Sequence, residues 1–358
     1  MMTRSIGVVI PAYQPDPERL TSYLQQLDTQ VTPSPAVLRI ELDAPSSSLL
    51  KQLYSRLSNS TFTASVEIAI ADTRRGKGAA ITAGFERLCA CTNTTANSTT
   101  TTVTSNNETT ERSNIDPGFD RDTDVTINLT TTPPASTIDI LAFADADGST
   151  PASSFETVLR ALINDTADVA TGSRRHPSAD VTAHQTLGRR YLGDGFAWLA
   201  RRLLDEQLYD YQCGAKAITT DAWQAVRSHI YASGFAWDIE LLAISGGLGY
   251  QVAEVPVRWE DQPGSTVSPL RTALRLGRVL VTARHRARAL AHDPVHRLLA
   301  SIERSSSQPV IDSVATSKPT ALSEKATNIT IDAEAEAEAE ADVNVNIDTT
   351  DQSSIEVG

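Results

Sequence analysis

The chain predicts an α/β fold: a mostly parallel central sheet flanked by helices, carrying a disordered insertion and a disordered acidic tail. Three observations lead there. Short continuous apolar runs at 6–10, 66–71 and 138–144 read as strands buried on both faces. Segments with helical apolar spacing alternate with strands from residue 6 to 89, in the order β-α-β-α-β-α. Polar loops follow the carboxyl ends of these strands, where open α/β sheets bind their ligands.

The first strand, 6–10, ends at Pro11-Ala12-Tyr13, and a helix follows over 17–27. Residues 37–42 alternate as a second strand ending at Asp43-Ala44-Pro45, and 48–57 is helical. The third strand, 66–71, runs into Asp72-Thr73-Arg74-Arg75-Gly76-Lys77-Gly78, after which 79–89 is a helix. The strand at 138–144 closes on Asp145-Ala146-Asp147 and the turn formers Gly148-Ser149-Thr150-Pro151. Helix 153–162 and the short strand 169–172 lead into Ser173-Arg174. The second half is richer in helix, at 187–204, 220–226 and from 236 to 243, with 209–216 a loop or short strand. Residues 250–259 alternate like a strand on a sheet edge, where Pro256 is tolerated. An arginine-rich helix spans 269–291.

Of the 358 residues, 40% are hydrophobic and the formal net charge is −13. Thr, Asn and Ser dominate about 92–137, and the tail 305–358 is polar and acidic. Neither buries enough apolar surface to offset the entropy of ordering. Without them roughly 260 residues remain, the size of one α/β domain. Net acidity argues against nucleic acid as a partner. Abundant Asp and Thr with few Lys resemble proteins adapted to a salty cytoplasm. Cys89, Cys91 and Cys213 are too few for a disulfide framework, which fits a reducing compartment. No signal peptide and no apolar run long enough to span a membrane is read, so the expected location is cytoplasmic.

Asp145 and Asp147 sit at i and i+2, on one side of an extended chain and roughly 6–7 Å apart. They are either a solvated turn pair or two ligands of a hard cation such as Mg²⁺, which shares its shell with substrate phosphates. The Arg74–Gly78 loop lies between a strand and a helix. Glycines let backbone approach a ligand, helix N-termini favour anions, and Arg75 and Lys77 add charge for a diphosphate. It is not a Walker A loop; the alternative is a basic surface turn. Asp43 either accepts from a base or ribose or caps a turn. On the last helix Arg271, Arg275, Arg278, His285 and Arg286 fall on one stripe. Such a helix either lies on an anionic membrane, as a peripheral contact through 269–291, or packs on the sheet and solvates its arginines.

Taken in order, Val8-Val9-Ile10-Pro11-Ala12-Tyr13, Asp43, Gly76-Lys77-Gly78, Asp145-Ala146-Asp147-Gly148, Gly172-Ser173-Arg174, Asp210-Tyr211-Gln212-Cys213-Gly214-Ala215-Lys216, Trp237-Asp238-Ile239-Glu240 and Glu254-Val255-Pro256-Val257-Arg258-Trp259 form one series. The series resembles the family 2 glycosyltransferases of GT-A (Rossmann-like) fold, nearest the dolichyl-phosphate glucosyltransferase and dolichyl-phosphate mannose synthase group. It covers about residues 5–265 without the insertion.

The resemblance implies an inverting transfer of a hexose from a nucleotide sugar to dolichyl or polyprenyl phosphate. It makes 1–91 the nucleotide-sugar half, 138–268 the metal and acceptor half, and 269–304 a basic helical region. Pro11, Ala12, Tyr13, Asp43, Arg75, Gly76, Lys77, Asp145 and Ala146 would bind the donor. Asp145 and Asp147 would hold Mg²⁺ or Mn²⁺. Asp147, Arg174 and Asp210 would be catalytic, and Arg174, Arg190, Gln212, Lys216, Asp238 and Glu240 would bind the acceptor. Arg189 and Arg190 read individually as surface cations, and Asp238 and Glu240 equally as helix caps. Ser149 stands where mannose synthases tend to carry Gln, which turns the expected donor from GDP-mannose toward UDP-glucose. A glycan-hydroxyl acceptor, a sugar nucleotidyltransferase and a non-catalytic nucleotide-sugar-binding module are the alternatives.

Overall fold

Strands β1 and β6 of the central sheet are apolar on both faces because helices cover both. The computed structural model describes residues 4–90, 101–102, 126–128, 137–181, 187–260, 269–302 and 308–315. The first half runs β1 (Ile6–Tyr13), α1 (Pro17–Gln30), β2 (Val37–Asp43), α2 (Ser47–Ser58), β3 (Ser65–Ala71) and α3 (Lys77–Ala90). Then come β4 (Thr101–Thr102), β5 (Thr126–Asn128), β6 (Ile140–Ala144), α4 (Ala152–Ile163), β7 (Val169–Ser173), β8 (Asp180–Val181) and α5 (Leu187–Leu203). The rest is β9 (Ala215–Thr219), α6 (Thr220–Val226), α7 (Trp237–Gly247), β10 (Val252–Pro256), β11 (Arg258–Trp259), α8 (Pro269–Leu290), α9 (Pro294–Ile302) and α10 (Val310–Ala315).

Helix starts follow the sequence signals. Asp16 caps α1 by accepting from the Arg19 N–H at 2.9 Å, with Pro17 in the first turn, and Ser46 caps α2 through the Leu49 N–H at 3.2 Å. Alternation along each strand divides the core into two layers. Ile140, Ala142 and Ala144 of β6 join Leu20, Leu24, Phe155 and Leu159 of α1 and α4. Leu141 and Phe143 face the other way, onto Phe85 of α3 and Trp237 of α7. There Phe85, Phe143, Trp223 and Trp237 pack edge to face or tilted, with centroids 5.1–6.2 Å apart.

The sheet has nine strands in the order β10-β7-β9-β6-β1-β2-β3-β5-β4, and all described residues fall in one compact unit. β1, β2, β3 and β6 are parallel, as their apolar runs predict, and β10 is an outer strand with Pro256 at its end.

The 209–216 segment, read as loop or short strand, is loop up to Gly214 and then enters β9, which lies antiparallel between β6 and β7. Two expectations need correcting. The tail is not featureless from 305: α10 docks on the core through buried Val310, whose N–H donates to Ile230 O at 2.8 Å. The insertion supplies β5, antiparallel to β3, and β4 beside it; its remaining residues lie outside those described.

Candidate active site

Because β1, β2, β3 and β6 run in parallel, their carboxyl ends open on one side of the sheet. Pro11 and buried Ala12 close β1, and Tyr13 pairs in register with Asp43. Tyr13 is 44% exposed, with the Arg74 guanidinium 4.1 Å from its ring centroid. The pair forms a flat platform of the kind that stacks on a base.

Asp145 continues the Leu141–Phe143 face of β6, toward α3 and α7. Its N–H donates to Gly214 O at 2.9 Å. Gly214 is there by necessity, since a Cβ would collide with the Asp145 carboxylate. After half-buried Ala146, Asp147 is exposed and accepts from the Ser149 N–H at 2.9 Å through Oδ1. Gly148 makes the turn with φ +65°. Burial pushes the Asp145 carboxyl up, aided by Asp147 and opposed by Lys77. Both aspartates offer only oxygen, the donor type a hard divalent cation takes. Among the described residues no group of three or more His, Cys, Asp or Glu converges. The two carboxylates suit an ion that completes its shell with phosphate oxygens and water.

A line of alternating charges runs beneath the pair. Lys77 Nζ lies 2.9 Å from Asp145 Oδ1 and 3.4 Å from Asp238 Oδ2, and Lys216 Nζ lies 2.9 Å from Asp238 Oδ1. Lys216 Nζ also donates to Cys213 O at 2.7 Å. Both ammonium groups stand over the Phe143 ring, at 4.9 Å and 5.7 Å from its centroid. Burial works against the Lys77 charge, but Asp145 and Asp238 outweigh it and hold Lys77 above lysine's usual range. Lys216 and Asp238 are 1% and 2% exposed. They pair with each other, and Asp238 also reaches Lys77.

Asp43 is likewise occupied. Its Oδ2 accepts from the N–H groups of Arg75 and Gly76 at 2.9 Å and 3.1 Å, and its Oδ1 from Arg75 Nε at 2.8 Å. Arg75 Nη2 donates to Glu41 Oε2 at 3.0 Å, Glu41 Oε1 accepts from Arg39 Nε at 2.6 Å, and Arg39 Nη1 donates to Glu67 Oε2 at 2.8 Å. Arg39, Glu41 and Glu67 were not among the expected site residues. Their signal is in the sequence: Arg39, Glu41 and Asp43 recur at every second position of the strand read as alternating. Of the donor set, Asp43 and Arg75 therefore build the glycine loop.

On the acceptor side Arg174 makes a forked pair with Asp210, Nε to Oδ2 at 2.7 Å and Nη2 to Oδ1 at 3.0 Å, and Nη2 also reaches Gln212 O at 3.2 Å. Burial alone would raise Asp210, but the Arg174 fork holds it far below the usual carboxylate range. It is 2% exposed and fixes the Arg174 guanidinium in place. Glu254, quoted in the sequence but given no role there, takes the N–H groups of Tyr209 and Asp210 at 2.8–2.9 Å and fixes this loop. Burial pushes the neighbouring Cys213 thiol up to about 11.

Glu240 is 2% exposed and bonds the N–H groups of Tyr231 and Ala232 and the Arg286 guanidinium. It does not cap α7, which begins without a side-chain cap. The side chains of Arg189, Arg190, Arg271 and Arg275 lie outside the described residues. In the described part of α8, Leu280, Ala283 and Ala287 are buried in the core, and Arg284, Arg286 and Arg288 bond to Leu203 O, Glu240 and Asp205. That stretch packs on the protein. No helix among the described residues is long and apolar enough to cross a membrane.

No family model matches the chain. It is similar to the dolichyl-phosphate beta-glucosyltransferase of Drosophila melanogaster, 33% identical over 145 residues, 39% of this chain and 44% of that protein. The dolichyl-phosphate beta-glucosyltransferase of Homo sapiens is 32% identical over 152 residues, 41% of this chain and 47% of that one. Glycosyltransferase AglD of Haloferax volcanii is 32% identical over 139 residues, 39% of this chain and 22% of that one. The chain spans less than half the length of these curated relatives. Among solved structures, glucosyl-3-phosphoglycerate synthase from Mycobacterium tuberculosis, in complex with Mn²⁺, uridine diphosphate and phosphoglyceric acid, has a TM-score of 0.46 at 13% identity, covering 78% of either chain. The curated relatives bear out the resemblance read from the order of motifs.

Proposed function

We propose that the protein transfers glucose from UDP-glucose to dolichyl or polyprenyl phosphate with inversion at the anomeric carbon. The observation that carries this reading is the Asp145 carboxylate, seated against Gly214 and paired with Lys77 of the glycine loop. It joins the β6 acid pair to the loop suited to a diphosphate. The similarity to dolichyl-phosphate beta-glucosyltransferases supplies the substrate class.

Asp145 and Asp147 would hold Mg²⁺ or Mn²⁺, which when bound supplies positive charge to the departing diphosphate. Lys77, fixed by Asp238, adds an ammonium to the same oxygens. Tyr13 and Arg74 would stack on the base. Arg174 spends three N–H donors on Asp210 and Gln212 O, leaving the two of Nη1 outside these contacts to orient the acceptor phosphate. That phosphate has its second pKa near about 6, so it attacks as an anion and no protein base is needed. Its oxygen forms the bond to the anomeric carbon as the bond to UDP breaks, and UDP leaves with the electron pair. Positioning and electrostatics supply the catalysis.

The test is transfer of radioactive glucose from UDP-glucose in the presence of dolichyl phosphate and Mg²⁺ or Mn²⁺. The expected result is chloroform-extractable label, lost without metal and not matched by GDP-mannose. Label confined to aqueous glycan would sink the lipid acceptor. Diphosphate release from a nucleoside triphosphate would replace transfer with nucleotidyl chemistry, and UDP binding without turnover would leave a binding module.

A further inference from the structure

Helix α8 and the glycine loop are joined by an unbroken line of contacts. Arg286 Nη1 donates to Glu240 Oε1 at 2.8 Å, and its guanidinium lies 3.8 Å from the centroid of the Tyr231 ring. Glu240 Oε2 accepts from the backbone N–H groups of Tyr231 and Ala232 at 2.6 Å and 2.7 Å. Ser233 O, next along this turn, accepts from the Ala79 N–H in the first turn of α3 at 3.0 Å. The same carbonyl presses on the glycine loop: a Cβ on Gly76 would meet it at 2.8 Å, and Gly76 has φ +97°. Geometry and conformation both exclude a side chain there. At its far end the turn reaches the acceptor loop, where Gln212 Nε2 donates to Phe235 O at 3.4 Å.

Glu240 makes this line stiff. A buried carboxylate keeps its charge only while N–H donors surround it, and its partners here are two amides and one guanidinium. Removing the guanidinium leaves the charge short of a partner. The turn then has reason to open to water, and its contacts with Gly76 and Ala79 open with it.

We propose that Arg286 is a positioning residue for the donor loop. Acting through Glu240 and the turn at 231–236, it sets how closely the Gly76-Lys77 backbone is held, so that nucleotide affinity depends on how α8 is seated. The functional half of this inference rests on the proposed donor site; the mechanical half does not.

Hydrogen exchange on the full chain tests the mechanical half. In Arg286→Met, peptides over 230–233 and 76–80 should both exchange about tenfold faster, while α1 is unchanged. Arg286→Lys should restore most of the protection. For transfer from UDP-glucose, Arg286→Met should raise KM about tenfold with kcat within about twofold, and Arg286→Lys should recover most of the change. Faster exchange at 230–233 alone, or equal loss in KM and kcat without rescue by Lys, overturns the link. If Arg286→Met does not fold, Glu240→Gln carries the same comparison, because it keeps an oxygen for the amides and loses the charge facing Arg286. A wild-type protein that takes no UDP-glucose refutes the proposed function, and the exchange result then decides the link by itself.

Discussion

β2 ends in Asp43 and β6 runs on into Asp145-Ala146-Asp147 at the same edge of the sheet, yet Asp43 and Asp147 have opposite fates. Asp43 is buried and fully engaged by Arg75 and Gly76, whereas Asp147 is exposed with one oxygen on the Ser149 N–H. Topology brings a carboxylate to the ligand edge; its neighbours decide whether it builds the site or serves in it. β2 arrives with Arg39 and Glu41 on the same face and Arg75 above. β6 arrives with apolar Leu141 and Phe143, so nothing on its own strand competes for the acid pair.

Substitutions can break this contrast. The largest effect is expected from Asp147→Asn: metal-dependent turnover should fall about a thousandfold, with stability within about 0.5 kcal/mol of wild type. Near-normal turnover at limiting Mg²⁺ would remove Asp147 from the site.

Asp210→Asn should act on the fold instead, costing about 3 kcal/mol because it breaks a buried ion pair. The pH dependence follows from the sign of the shift. The Asp210 pKa is depressed in the folded state below its ordinary 3.8, so its contribution is complete above that value and is lost as pH falls through the folded one. Urea titrations should therefore show a gap between wild type and variant that is full near neutrality and narrows below about pH 4. A gap independent of pH would contradict the pairing.

The smallest effect belongs to Asp43→Asn. It should cost about 1–2 kcal/mol through the lost charge on Arg75 and raise the KM for UDP-glucose severalfold, leaving kcat nearly unchanged. A loss confined to kcat would make Asp43 a participant in the chemistry and erase the contrast with Asp147.

Much of this was legible in advance. Apolar runs and helical spacing located every major element of the first half, and Lys77 pairs with Asp145, two residues before Asp147. The antiparallel β9 was not legible, because a five-residue strand carrying a buried lysine has no apolar signature. The partners of that lysine were hidden too: Asp238 is 22 positions away in the chain, and only packing around Phe143 brings the charges together. Arg286 misled most. Helical periodicity places it on a basic stripe, but periodicity cannot reveal that Glu240 of another helix lies opposite.

A contact beside the central strand β1 bears on how this fold tolerates change. Space beside Gly7 is shared by Leu88, just before the insertion, and Ile138, just after it, both within 3.3 Å of where a Cβ would stand. The residues that flank the insertion thus meet at one spot beside β1. Because that gap is already closed by the core, the length of what spans it matters little: each doubling of a flexible loop costs only about 0.6 kcal/mol. The end of α3 beside β1 is thus a port through which sequence can be gained, lost or exchanged while the strand ends that carry the aspartates keep their places.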